Sequence, residues 1–193
     1  MTEWEFVSVA LSLVLGLAVT LVLRSALVAF RARNETKLDP IAIAWAVYIF
    51  VSQLQYWWGP VRALSDLERI TGTIFILMIV LAVMLFLAGG LVLPVSEDRY
   101  PTDLSEYFEK DGRWGVLIYS AYWLLGVSGV NIWIHGVGFS LTNVTAAILI
   151  PLSALAVWVL RARTAVTILF GVTLVINTFA ANLTVLRVLG IED

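Results

Sequence analysis

The sequence predicts an all-α, polytopic transmembrane helical bundle, and three observations carry that expectation. Hydrophobic residues make up 61% of the 193 residues and charged residues only 13%, about half the share in an ordinary soluble domain. The apolar residues fall in long uninterrupted runs, the pattern of membrane spans rather than of a large core. Six such runs at ~20 residues each leave little chain for anything outside the membrane, so residues 1–193 read as a single integral membrane domain.

The spans are expected at about 6–30, 40–59, 66–93, 114–136, 138–160 and 164–189. The first, Phe6 to Phe30, follows an N-terminus (Met1, Thr2, Glu3, Trp4, Glu5) without the positive region of a cleavable signal peptide, so it reads as retained. Along it Ser8, Ser12, Gly16 and Thr20 recur every four residues, and Arg24 takes the next step. Small residues at this spacing form a packing seam for a close neighbour. The row drifts ~40° per step on a straight helix, which suits a crossing better than one wall of a pore.

Pro40 fits the first turn of span 2, where its missing N–H costs nothing. Gly59-Pro60 stops that span. Ser65 with Glu68 is a capping box opening span 3, and Gly89, Gly90 and Pro94 mark its exit. The connector 94–113 contains Asp103 and Glu106, which suit the cap of a short helix. Leu104, Tyr107 and Phe108 on one side of it suit an interfacial helix on the inner membrane surface. The acids of this connector suit a hard cation or a solvated loop, the commoner case. Pro151 predicts a kink in span 5.

Basic residues set the orientation. With the N-terminus outside, nine Lys and Arg residues fall inside (Arg24, Arg31, Arg33, Lys37, Arg99, Lys110, Arg113, Arg161, Arg163) and three outside (Arg62, Arg69, Arg187). Both termini are therefore expected outside. Tryptophan favours the headgroup region: Trp4, Trp57, Trp58 and Trp133 fall at outer ends and Trp45, Trp114 and Trp158 near inner ends. Arg24 either snorkels to inner-leaflet phosphates, the preferred reading, or pairs with a connector acid.

Several of these features resemble a family of small, uncharacterised bacterial integral membrane proteins. They are Leu11-Ser12-Leu13-Val14-Leu15-Gly16-Leu17, the basic exit at Arg31 and Arg33, Gln55-Tyr56-Trp57-Trp58, Pro94, Asp103-Leu104-Ser105-Glu106-Tyr107-Phe108 and Arg113-Trp114. The resemblance covers about residues 1–115. It implies a six-span, multi-pass protein of the bacterial cytoplasmic membrane and no site or activity.

Polar groups inside a bilayer need partners. No acid lies deep in a predicted span, which counts against ion-coupled transport. Ser8, Ser12, Gln53, Gln55, Ser128, Asn131, His135, Asn177 and Asn182 lie mostly at mid-membrane or outward. They read either as a candidate polar cavity or as interhelical hydrogen bonding. Gly126-Val127-Ser128-Gly129 resembles the Gly-x-Ser-Gly of intramembrane serine proteases. However, His135, the single histidine, is ~10 Å along the same helix, beyond the reach of a nucleophile's base. It reads as solvated at an interface rather than as a pH sensor. The chain has no cysteine, which excludes disulfides and thiolate metal sites.

No cofactor, metal site, enzymatic activity or nucleic-acid partner is expected. The expected partners are the lipid bilayer and further copies of the chain, with another membrane protein as an alternative. The leading functional expectation is a passive channel or facilitator for a small polar or ionic solute. The alternatives are a non-enzymatic accessory or scaffold subunit, and a membrane enzyme acting on lipid.

Overall fold

The computed structural model describes residues 3–57, 71–95 and 103–129, with 164, 167–169, 171 and 172. The described residues are helical and contain no strand; one isolated bridge pairs Lys37 with Asp103. Helix α1 (Glu3–Arg31) ends in a 3-10 turn, Ala32–Asn34. Helix α2 (Pro40–Tyr56) starts with Pro40 in its first turn, as expected. Asp39 is its N-cap, accepting a hydrogen bond from the Ile41 N–H at 2.9 Å.

Helix α3 (Gly72–Val92) starts inside the predicted third span. Thr71 is in extended backbone, and its hydroxyl accepts from Ile74 N. A Thr-Gly-Thr sequence has weak helix preference and offers its own cap. Ser65 and Glu68 lie outside the described residues, as do Gly59, Pro60 and Pro151. Helix α4 (Leu104–Tyr107) is capped by Asp103, which accepts from Ser105 N at 2.8 Å. A π-helical turn, Phe108–Gly112, joins it to helix α5 (Arg113–Trp123), and a second, Leu124–Gly129, follows.

Contacts between named residues give the helix directions. Tyr56 meets Met78 and Gln53 meets Leu85, so α2 and α3 run antiparallel. Phe6 faces Phe75, and Val22 lies where a side chain on Gly89 would go, so α1 and α3 run parallel. Gly115 meets Ala88 and Gly126 meets Leu81, which sets α5 antiparallel to α3. The path is up, down, up, down, with α3 packed against the other three long helices. The turns at 32–39 and 103–112 share one end. There Leu104 N donates to the Lys37 carbonyl at 3.1 Å, and Lys37 Nζ lies 3.6 Å from Asp103.

The core lies between these helices, from Val7, Leu11 and Leu15 through Trp45, Ile49, Leu81 and Leu85 to Val116 and Tyr119. Three expectations change. Gly89 and Gly90 do not end a helix: they lie within α3, and a Cβ on Gly89 would sit 2.5 Å from Val22 Cγ2. They are therefore contact points for α1. Trp45 is no interfacial anchor but 0% exposed. Helix α4 turns its apolar side to the protein, with Leu104 and Phe108 fully buried and the Tyr107 hydroxyl donating to Leu91 O at 3.2 Å. The exit of α3 supplies an apolar surface that the connector covers, so it does not need lipid.

Candidate functional site

Four residues with polar groups in the interior share one face of α2. Trp45, Tyr48, Ser52 and Tyr56 are spaced three to four residues apart and share a helical face. That face looks at α5 and at the short described segment around Thr167. The indole of Trp45 donates to Thr167 Oγ1 at 3.1 Å, and the Tyr48 hydroxyl donates to Thr167 O at 3.1 Å. Gly171 makes room for this approach, because a side chain there would collide with the Tyr48 ring.

Ser52 and Tyr119 share a buried hydroxyl–hydroxyl hydrogen bond of 2.5 Å, and Tyr119 also donates to Tyr48 O at 3.3 Å. One proton arrangement serves both bonds: Tyr119 gives its proton to the carbonyl and accepts that of Ser52. Tyr56 donates to Met78 O at 2.7 Å, and Gln53 Nε2 donates to Leu85 O at 3.1 Å. Gln53 Oε1 is buried with no hydrogen-bond partner among the described residues. Rings pack around the hydroxyls. Tyr119 stacks on Tyr122 at 6.1 Å between centroids, Trp45 meets Tyr119 edge-on at 6.2 Å, and Tyr56 meets Tyr122 at 6.0 Å.

This set holds hydroxyl, indole and amide groups but no carboxylate, imidazole or amine. Its chemistry is hydrogen bonding, and each bond named ties α2 to another segment or orders a group that does. Burying such a group without a partner costs ~1–3 kcal/mol, so these bonds specify helix registration as much as they add stability.

Of the residues expected from the sequence, five are among those described. Ser8 donates to Glu5 O at 2.9 Å and Ser12 to Ser8 O at 2.6 Å, both within α1. Gln53 is buried against α3, and Gln55 is half-buried on α2. Ser128 lies on the second π-helical turn. Asn131, His135, Asn177 and Asn182 lie outside the described residues.

Gly16 and Thr20 of the seam are exposed. A Cβ on Gly16 meets no atom within 4 Å, and Thr20 bonds to Gly16 O at 2.7 Å. The face of α1 turned to α2 and α3 is Val7, Leu11, Leu15, Ala18 and Val22. Among the described residues, no three His, Asp or Glu side chains form a cation site.

Sequence reading passed over Tyr48, Ser52, Tyr119 and Thr167, and placed Trp45 at an interface. The available signal was the row of polar-tipped residues at helical spacing from Trp45 to Tyr56.

Outside the bundle, Asp103 has its carboxyl held below the usual carboxylate range. The Ser105 N–H it accepts contributes most, with Lys37 adding to the effect. Compared with family models, with curated proteins and with solved structures, the chain matches none.

Proposed function

We propose that this chain is a multi-pass membrane protein acting as a non-enzymatic scaffold or accessory subunit, with six spans and both termini outside. Among the described residues, two helices are long and apolar enough to cross a bilayer: Glu5–Asn34, which is α1 with its 3-10 turn, and α3. In their most apolar windows 28% and 39% of the residues are buried, which leaves much apolar surface for lipid. The outer side of α1 exposes Phe6, Val9, Leu13, Leu17, Leu23, Leu27 and Phe30, a surface suited to lipid. The alternating helix directions and the shared end of 32–39 and 103–112 support successive crossings. The resemblance over residues 1–115 points the same way, to a bacterial cytoplasmic membrane.

The observation that carries the scaffold reading is the use of interior polar groups among the described residues. Gln53, Tyr56 and Tyr48 donate to carbonyls of other segments, and Ser52 joins Tyr119. Such groups lock helices together rather than line a water path. Assembly as a homo-oligomer or with a second membrane protein belongs to the same proposal.

One observation favours the channel or facilitator reading: the buried Gln53 Oε1 without a described partner, a group of the type that meets a passing solute. Purified protein in liposomes distinguishes the two. The scaffold reading expects permeability to monovalent ions, urea and glycerol equal to that of protein-free vesicles. Flux that Gln53→Leu abolishes would refute it in favour of the channel.

A further inference from the structure

We propose that the junction of α1, α2 and α3 binds ordered internal water between Gln53 and Ser25. The inference goes beyond the scaffold reading and holds whether or not the chain conducts. Gln53 is 1% exposed and Ser25 0%. Gln53 Oε1 and Ser25 Oγ are buried and have no hydrogen-bond partner among the described residues, and leaving such atoms unmet is costly.

Each side chain presents its atom to the interior for its own reason. The Gln53 amide has one orientation, because its Nε2 donates to Leu85 O at 3.1 Å. A flipped amide would set Oε1 against that carbonyl, acceptor to acceptor. Oε1 therefore needs a donor from elsewhere. Ser8, Ser12, Thr20 and Ser120 each donate to a carbonyl three or four residues back in their own helix. Ser25 makes no such bond, so its buried hydroxyl serves the space between helices.

Val22 and Gly89 bring the two residues into adjacent layers. A Cβ on Gly89 would lie 2.5 Å from Val22 Cγ2, 3.0 Å from Gln53 Nε2 and 3.6 Å from Ile49 Cγ2, so the three helices converge there. Ser25 follows Val22 in the buried row Ala18, Val22, Ser25 and Ala29. Residues three apart on a helix are neighbours, ~5–6 Å between Cβ atoms. Gln53 Oε1 only accepts, whereas Ser25 Oγ donates and accepts. Water has two donors and two lone pairs, and buried water typically binds such groups. Neither α2 nor α3 contains a charged residue, so they offer an ion no countercharge. The close approach at Gly89 excludes a larger solute.

The test is hydroxyl-radical footprinting of the full chain by a short X-ray pulse, read by peptide mass spectrometry. Radicals made from bound water oxidise the side chains beside it even where bulk solvent does not reach. Ile49 and Leu85, both 0% exposed, gain oxygen, while the equally buried Leu104 and Val116 stay unlabelled. Ser25→Ala lowers the labelling of Ile49 and Leu85, and Gln53→Met removes it. Ser25→Ala deletes a single hydroxyl, which guards against a Gln53→Met variant that misfolds. Unlabelled Leu104 and Val116 show that each variant keeps its core.

Ile49 and Leu85 as unlabelled as Leu104 in wild-type protein would overturn the water site and assign Gln53 Oε1 a donor from the chain itself. Labelling of all four residues alike would overturn it too, as would labelling of Ile49 and Leu85 that neither variant changes.

Discussion

Alanine at Gly115 and at Gly16 separates the packing of this bundle from simple helix preference. At Gly115 a Cβ would lie 2.8 Å from Ala88 O and 3.1 Å from Val92 N. Ordinary contact begins near 3.4 Å, so α5 must move from α3 by about 0.6 Å. The obstacle is backbone on both sides, and no rotamer change relieves it. Overpacking of this kind costs ~1–3 kcal/mol. At Gly16 the new methyl meets nothing within 4 Å. Both substitutions gain up to ~1 kcal/mol of helix preference.

The difference between the two variants therefore isolates the clash, and Gly115→Ala should fall ~1–3 kcal/mol below Gly16→Ala. Equilibrium unfolding by titration with a denaturing detergent, read by tryptophan fluorescence, measures it. Equal stabilities would refute the α3–α5 crossing. A loss at Gly16 with none at Gly115 would restore the Ser8–Thr20 row as the tight interface, formed between copies.

Other consequences follow from the polar bonds. Tyr119→Phe removes the bond to Ser52 and should cost ~0.6–1.7 kcal/mol in the same unfolding assay. Ser52→Ala should cost a similar amount, and the double variant less than the sum, because one bond is lost in each. Strict additivity would contradict the shared bond. The carboxyl of Asp103 is lowered, so its stabilising effect is complete above the ordinary carboxylate pKa and fades as pH falls through the lowered folded value. Wild-type stability should therefore drop on acidification below that ordinary pKa. Asp103→Asn should remove this part of the pH dependence, while Lys37→Met reduces it and leaves the Ser105 cap. Thr167→Val should loosen the segment around it by removing the acceptor of the Trp45 indole, seen as faster amide exchange there than in Thr164→Val.

What the sequence made legible depended on how local the signal was. Pro40 and Asp103 mark helix starts through their own backbone chemistry, and both predictions hold. Gly89 and Gly90 carry the same local signature as a helix end, yet they serve the approach of Val22 and Leu21. That role depends on a helix nearly seventy residues away. Helix α1 is apolar on every side, so periodicity cannot say which face meets α3. The row of small residues stood out in the sequence, but the buried face is the one through Val7, Leu11 and Leu15. Trp45 has the same amphipathic ring whether it anchors at a headgroup or bonds to Thr167. Only the fold, which brings Thr167 to within 3.1 Å, separates the two.

The central claim is a membrane topology, and the absence of cysteine makes it directly testable with single-cysteine variants and an impermeant maleimide. Asn34→Cys and Glu109→Cys stand at the shared end of the bundle, while Glu5→Cys stands at the opposite end. The account predicts that Glu5→Cys reacts in intact cells and that the other two react only after the membrane is opened. Labelling of Asn34→Cys and Glu109→Cys from opposite faces, or of all three in the intact cell, would contradict it.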